Sequence, residues 1–351
     1  MDNWIQVDSW YDRFNRFAGD LYPGRYTREF VVDLVEQAKE VKSLAAEKNS
    51  VIVAHNYQFP ELQEVADNVG DSLGLSQYVG EQSNPRVDFC GVWFMGETAK
   101  TIVGDRMQVY MPDHPGCSLV ASIDHAKIES WKRHNPDGLI ISYINTDAKT
   151  KAMSDYICTS RNAAQIITHA AKTHPGQRML FLPDKYLGAV ALAQSGIDRD
   201  LVDLYDGACH VHAKIGEHAL DEALDRYPDA EILIHPECGC ASTCMSKIMA
   251  SESEYQNAFY LSTEQMIHHA EASPVKEFIV GTESGMLYRL RKDLPEKVFY
   301  PVHPDAVCEY MKMNTLEKLL DSLKNDRIEV TVDAETRQKA QAAIDRMLTI
   351  Q

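Results

Sequence analysis

Three short, unbroken apolar runs recur at near-equal spacing along the chain: VIVAH (51–55), LIISY (139–143) and EILIH (231–235). Runs of this length without polar alternation predict buried parallel strands. Each runs into a polar turn, at His55-Asn56-Tyr57, Tyr143-Ile144-Asn145 and His235-Pro236-Glu237. Helical patterns are expected next, over 61–69, 148–153 and 244–251, and then a second polar turn at Gly70-Asp71-Ser72, Cys158-Thr159-Ser160 and Leu261-Ser262-Thr263. A third strand is expected within GVWFMGETA (91–99), MLFLPDKYLG (179–188) and EFIVGTESGM (277–286). The fourth is QVYMP (108–112), LVDLY (201–205) and KVFYP (297–301), and each of these is soon followed by a cysteine: Cys117, Cys209 and Cys308.

The spacing makes this a repeat. His55 and Tyr143 lie 88 positions apart, as do Ser72 and Ser160, and Phe94 and Leu182. Tyr143 and His235 are separated by 92, and the cysteines by 92 and 99. Repeated strand–turn–helix order predicts an α/β protein of three pseudo-threefold-related αβα sandwich units. Each unit would carry a short parallel sheet facing a central site, with functional turns at the carboxyl ends of its strands. The expected division is an N-terminal extension (1–27), a first unit (28–117), a second (118–209) and a third (210–314). The aromatic-rich extension reads as a surface-packing segment. Residues 28–48 read as a helix, and 315–351 as two helices around the short strand IEVTV, expected to pack back on the first unit.

Composition narrows the function classes. With 35 Lys and Arg against 52 Asp and Glu, the formal charge is −17, and no basic run breaks that balance. Binding to nucleic acid or to an anionic membrane is not expected. The charged N-terminal stretch lacks the apolar segment of a signal peptide, and no run approaches a membrane span. Eight cysteines without a secretion signal read as ligands or core fillers in a reducing cytoplasm, not as a disulfide framework.

One cysteine from each unit predicts a central metal site. Structural zinc closes with four ligands, usually from close local pairs. An electron-transfer [4Fe–4S] cube is normally capped by four cysteines. Three cysteines leave one iron open to act as a Lewis acid on substrate oxygens. The denser group Cys238, Cys240 and Cys244 sits in the third unit alone and is not expected to be the principal site; Cys90 and Cys158 read as core. His55 and Tyr57, Tyr143 and Asn145, and His235 and Glu237 would project into one cavity as acid–base and oxyanion-binding groups. Ser72, Thr159, Ser160, Ser262 and Thr263 stand where helices begin, as N-caps, anion ligands or both. The third turns, at Met95-Gly96-Glu97-Thr98, Asp184-Lys185 and Thr282-Glu283, are candidate lining, with Lys185 answering an anion or pairing with Asp184.

The strings VAHNYQ, GDSL, FMGETAK, YINT, TSRNA, PDKYLG, GACHVH, HPEC and STEQ, in this order, resemble the quinolinate synthase family from about residue 28 onward. The resemblance implies a triangular body of three αβα units around one [4Fe–4S] cluster per chain. It implies condensation of iminoaspartate with dihydroxyacetone phosphate to quinolinate, phosphate and water, in de novo NAD synthesis. Transient contact with the enzyme that supplies iminoaspartate would suit so unstable an imine. Carried across, the cluster ligands are Cys117, Cys209 and Cys308. The pocket residues are His55, Tyr57, Ser72, Tyr143, Asn145, Ser160, His235, Glu237, Ser262 and Thr263, with Tyr57, His235 and Glu237 as proton movers. Some family members carry several close cysteines near the C-terminus; here Cys308 stands alone in its segment. The alternatives are another cluster-dependent hydro-lyase and a non-catalytic iron–sulfur sensor.

Overall fold

The computed structural model describes residues 5–241 and 257–350. Twelve strands in this span form three four-stranded, wholly parallel sheets with helices between the strands. The first holds β1 (Ser50–His55), β2 (Asn68–Gly70), β3 (Arg86–Cys90) and β4 (Gln108–Tyr110), in the order β2-β1-β3-β4. The second, β6-β5-β7-β8, holds β5 (Leu139–Tyr143), β6 (Tyr156–Cys158), β7 (Met179–Leu182) and β8 (Val202–Leu204). The third, β10-β9-β11-β12, holds β9 (Glu231–Ile234), β10 (Ala258–Tyr260), β11 (Glu277–Gly281) and β12 (Val298–Pro301). The strand order is the same in all three.

Register aligns the repeats. Cys90 pairs with Ala54, Leu182 with Ser142 and Gly281 with Ile234. Cys90, Leu182 and Gly281 are thus equivalent, at separations of 92 and 99. Those are the separations of the three cysteines. The expected third strand of the first unit is therefore corrected: the strand is β3, and most of GVWFMGETA belongs to the helix Trp93–Val103. Phe94 and Leu182 are not equivalent. The first helix also stops earlier than expected, at Val65, which leaves Asn68–Gly70 free to add β2 to the sheet edge. The helical pattern at 244–251 lies outside the described residues.

β3 holds two charges inside the core. Arg86 Nε and Nη2 donate to the two carboxylate oxygens of Asp88, each at 2.8 Å, and Ser50 Oγ donates to Asp88 at 2.6 Å. A bidentate pair satisfied in this way offsets much of its own desolvation. The helix Val7–Ala18 buries Trp10, Phe14 and Ala18, with Phe14 against Tyr26 and Tyr288. It packs on both Arg28–Glu47 and Met286–Asp293, spanning the first and third sheets' helices. The expected packing of 315–351 on the first unit is corrected for its second helix: Leu316–Asn325 packs along Arg28–Glu47, but Ala334–Thr349 lies mainly against Ala148–Ala152 and β6 of the second unit. Among the described residues no helix is long and apolar enough to cross a membrane.

Candidate active site

The carboxyl ends of β1, β5 and β9 converge on one cavity, with His55, Tyr143 and His235 at the first turn and Tyr57, Asn145 and Glu237 two residues on. Two of these turns share a detail. The Tyr57 amide donates to His55 Nδ1 at 3.2 Å, and the Glu237 amide approaches His235 Nδ1 at 3.4 Å. With Nδ1 accepting, the ring proton sits on Nε2, so each imidazole is a neutral donor. Burial enforces neutrality, lowering His55 to about 3 with help from His235, and His235 to about 4 against the pull of Glu237.

The second turns add Asp71 and Ser72, Thr159 and Ser160, and Ser262 and Thr263 to the lining. Ser262 caps the helix Thr263–Ala272 in a reciprocal box with Gln265. Asp71 caps Ser72–Glu81, leaving the Ser72 hydroxyl to reach Asn145 Oδ1 at 3.4 Å. Thr159 is held by Asn162, and Thr263 Oγ1 accepts from Asn56.

The third face is the cysteine set. Cys117, Cys209 and Cys308 line the same cavity, each at the start of a turn closed by its own carbonyl. Ala121, Ala213 and Lys312, four residues on in each case, donate their amides at 2.9, 2.8 and 3.1 Å. Burial pushes the Cys117 and Cys308 thiols up, Cys308 to about 12, with nearby backbone amides opposing the shift. Twenty-five residues before two of the cysteines stands a buried carboxylate. Glu283 accepts the Cys308 amide at 3.1 Å, and Asp184 Oδ1 accepts the Leu187 amide at 2.8 Å. The first unit has Val92 at that place. Glu283 is balanced by buried Lys312 Nζ at 3.2 Å, which also donates to the Tyr57 carbonyl. Asp184 Oδ2 has no hydrogen-bond partner, and burial with the nearby Glu237 charge pushes this carboxyl up to about 7.

Glu237 is the hub. Tyr143 Oη donates to its Oε1 at 2.5 Å, Asn145 Nδ2 donates to the same oxygen at 3.2 Å, and His212 Nδ1 lies 3.2 Å from Oε2. Burial alone would raise its pKa, but His212, His235 and the Tyr143 hydroxyl outweigh it and hold Glu237 at about 2. His212 Nε2 is 3.1 Å from Thr282 Oγ1, which lies 2.6 Å from the Tyr57 hydroxyl. A row Glu237–His212–Thr282–Tyr57 therefore runs along one wall.

Beyond its geometry, the chain matches over residues 39–349 the family described as Quinolinate synthetase A protein. The chain belongs to the quinolinate synthetase A family. Proteins named quinolinate synthase are similar over nearly the whole length. That of Pyrobaculum aerophilum is 44% identical over 310 residues, covering 88% of this chain and 98% of its own. That of Thermus thermophilus is 45% identical over 314 residues, covering 89% and 97%. That of Caldicellulosiruptor saccharolyticus is 39% identical over 320 residues, covering 91% and 100%.

Membership of the quinolinate synthetase A family gives the donor set its context. Among the described residues, the only group of three or more His, Cys, Asp and Glu side chains whose ligand atoms all lie within 4.8 Å of one another is Cys209, His212 and Glu237. His212 and Glu237 are already each other's charge partners. The three cysteines share the cavity without closing into so tight a set. Soft donors spread around a cavity suit a multi-iron group better than a single ion.

All of the expected pocket residues and all three cysteines line this cavity. Three expectations elsewhere are corrected or sharpened. Lys185 pairs with exposed Asp206 at 2.9 Å instead of Asp184, which caps its own helix. Glu97 Oε2 turns to the Ala148 amide. Cys238 donates its thiol to the Gly281 carbonyl within the third unit's core, beside buried Cys240; Cys244 lies outside the described residues. The sequence reading missed His212, Thr282's bridging place and Lys312. For His212 a signal existed: GACHVH carries two histidines directly after its cysteine, where the other units have none.

Proposed function

We propose that the protein is a quinolinate synthase, condensing iminoaspartate with dihydroxyacetone phosphate to quinolinate, phosphate and two waters. The observation that carries this reading is the family match over almost the entire chain, joined to a cavity that brings three thiols and a polar wall together. Cys117, Cys209 and Cys308 would hold one [4Fe–4S] cluster, which supplies Lewis acidity toward a substrate oxygen when bound.

The chain's own residues divide the remaining work. Neutral His55 and His235 present Nε2–H donors to carboxylate or carbonyl oxygens. Ser72 and Thr263 offer hydroxyls and helix-start amides for carboxylate or phosphate, and Ser160, ahead of the helix that begins at Ala163, offers a hydroxyl, with Ser262 fixing the local backbone. Asn145 and Tyr143 position the intermediate and hold Glu237. Glu237, ionised and fixed on three sides, is the base that moves protons during isomerisation. With His212 donating to Thr282 and Thr282 to the Tyr57 oxygen, the Tyr57 O–H is free to point at substrate as a proton donor. Enclosing two small anions in one cavity removes bulk water and supplies orientation, worth on the order of 7–11 kcal/mol at best. Free thiols at Cys90, Cys117, Cys158, Cys209, Cys238, Cys240 and Cys308 agree with work in a reducing cytoplasm, where the enzyme that makes iminoaspartate could hand it over directly.

The test is anaerobic incubation of iron–sulfide-reconstituted protein with both substrates, following quinolinate by chromatography, and a parallel incubation with small hydroxy acids. Quinolinate formation supports the reading. Dehydration of a hydroxy acid without quinolinate would move the site to the hydro-lyase class.

A further inference from the structure

The residue directly after each cysteine points to its counterparts in the other units. Ser118 follows Cys117, His210 follows Cys209 and Glu309 follows Cys308. Ser118 Oγ lies 2.6 Å from His210 Nδ1, and His210 Nε2 lies 2.9 Å from Glu309 Oε2. The His210 amide also donates to Ser118 Oγ at 3.2 Å. One tautomer satisfies the row: the Ser118 hydroxyl donates to Nδ1, and Nε2–H donates to Glu309. Tyr310 sets its ring edge-on to His210, with centroids 5.9 Å apart.

These three residues are 92 and 99 positions apart, and each belongs to a turn anchored on a different sheet. Nothing local in the chain ties one cysteine turn to the next. The spacing of the three thiols therefore depends on contacts between units, and this row is such a contact one residue from every sulfur. Ser118 is not poised as a nucleophile, because its oxygen already accepts the His210 amide and donates to the ring. Glu309 is largely exposed, its side chain 70% accessible, and His210 is one-third exposed. The row sits where the cysteine turns meet solvent.

We infer that Ser118, His210 and Glu309 form a clasp that fastens the three cysteine turns together and slows both loss of the bound metal group and access of reagents to the thiols. These are positioning residues, and the inference rests on the three-cysteine reading of the site.

The test compares wild type with His210→Ala, Glu309→Ala and Glu309→Gln. Glu309→Ala lies on the surface and is not expected to impair folding. In the first arm, bleaching of the visible cluster absorption by an iron chelator is timed in reconstituted protein. Release should be about three- to tenfold faster in the two alanine variants, the scale of one partly exposed charge-assisted hydrogen bond. Glu309→Gln keeps an acceptor and should stay near wild type. In the second arm, iodoacetamide labelling of Cys117, Cys209 and Cys308 in metal-free protein is followed by mass spectrometry and should accelerate in the same variants. Unchanged release and unchanged labelling in both alanine variants would overturn the clasp. A wild type that takes up no iron would remove the cluster reading, and the labelling arm would then decide the clasp alone.

Discussion

Replacing Glu237 by Gln keeps the side chain's shape and one carbonyl oxygen. Tyr143 and Asn145 can still donate to that oxygen, so the wall should keep its form. What disappears is a buried negative charge 3.2 Å from His212 Nδ1. At an effective dielectric of about 20, two unit charges at that distance attract by roughly 5 kcal/mol. Against this runs the burial penalty, and the balance is visible in the carboxyl itself. It is held at about 2 against an ordinary 4.5, roughly 3 kcal/mol in favour of the charged form. The sign follows: this contribution is fully present above the ordinary carboxylate range and is lost as pH falls toward 2. At neutral pH, Glu237→Gln should lower unfolding stability by about 3 kcal/mol, read by urea denaturation of metal-free protein. If Glu237 is the proton-moving base, turnover should fall by about 10²–10⁴-fold while iron content stays at the wild-type level. The assay is single-batch: quinolinate formation and iron per chain in the same anaerobic sample. Near-normal turnover with full iron would refute the assignment of the base. Loss of iron together with activity would instead mark Glu237 as part of the metal site, as its closeness to Cys209 allows.

Three further outcomes follow from the same structure. Lys312→Met should cost about 3–5 kcal/mol in urea unfolding, because Glu283 is left charged and buried behind Cys308; the double variant with Glu283→Gln should recover much of the loss. Phe14→Ala, which empties a site among Trp10, Tyr26 and Tyr288, should cost roughly 3–5 kcal/mol with iron content unchanged. Lowering pH from 8 to 5 should cost about 2 kcal/mol for each of His55 and His235, since each is neutral when folded but takes up a proton near pH 6.5 when unfolded. Asparagine at either position should flatten the unfolding free energy measured over that window, and an unaltered slope would count against the buried neutral imidazoles.

The first strand of each unit was legible because its burial on both faces leaves an unbroken apolar run. The cysteine spacing was legible too, and it proved to share its 92 and 99 offsets with the third strands. What misled was β3. Its sequence RVDFC carries two charges that break the apolar run expected of a buried strand, whereas the adjoining GVWFMGETA reads as a strand. In the fold Arg86 and Asp88 neutralise each other across one face, and the apolar side chains of Trp93–Val103 cover the sheet as a helix. Pattern reading counts polarity residue by residue and cannot see that two charges will meet. The same blindness hid the polar wall. His212, Thr282 and Lys312 stand in turns that do repeat, but the equivalent positions hold Val120 and Met311, Gly91 and Pro183, and Ala121 and Ala213, so symmetry, which exposed His55, Tyr143 and His235, gave no hint of them. Glu237 was found as a repeat position, but its state is set by a neighbour that was not.

The central claim is that one cysteine from each repeat holds the metal group that makes this cavity active. Its most direct test is iron and sulfide content alongside quinolinate formation in Cys117→Ala, Cys209→Ala, Cys308→Ala and the core control Cys238→Ala. The account predicts about four irons per chain and product in wild type and in the control. Each of the three cavity variants should lose both. Full iron in any of those three, or loss confined to Cys238→Ala, would contradict it.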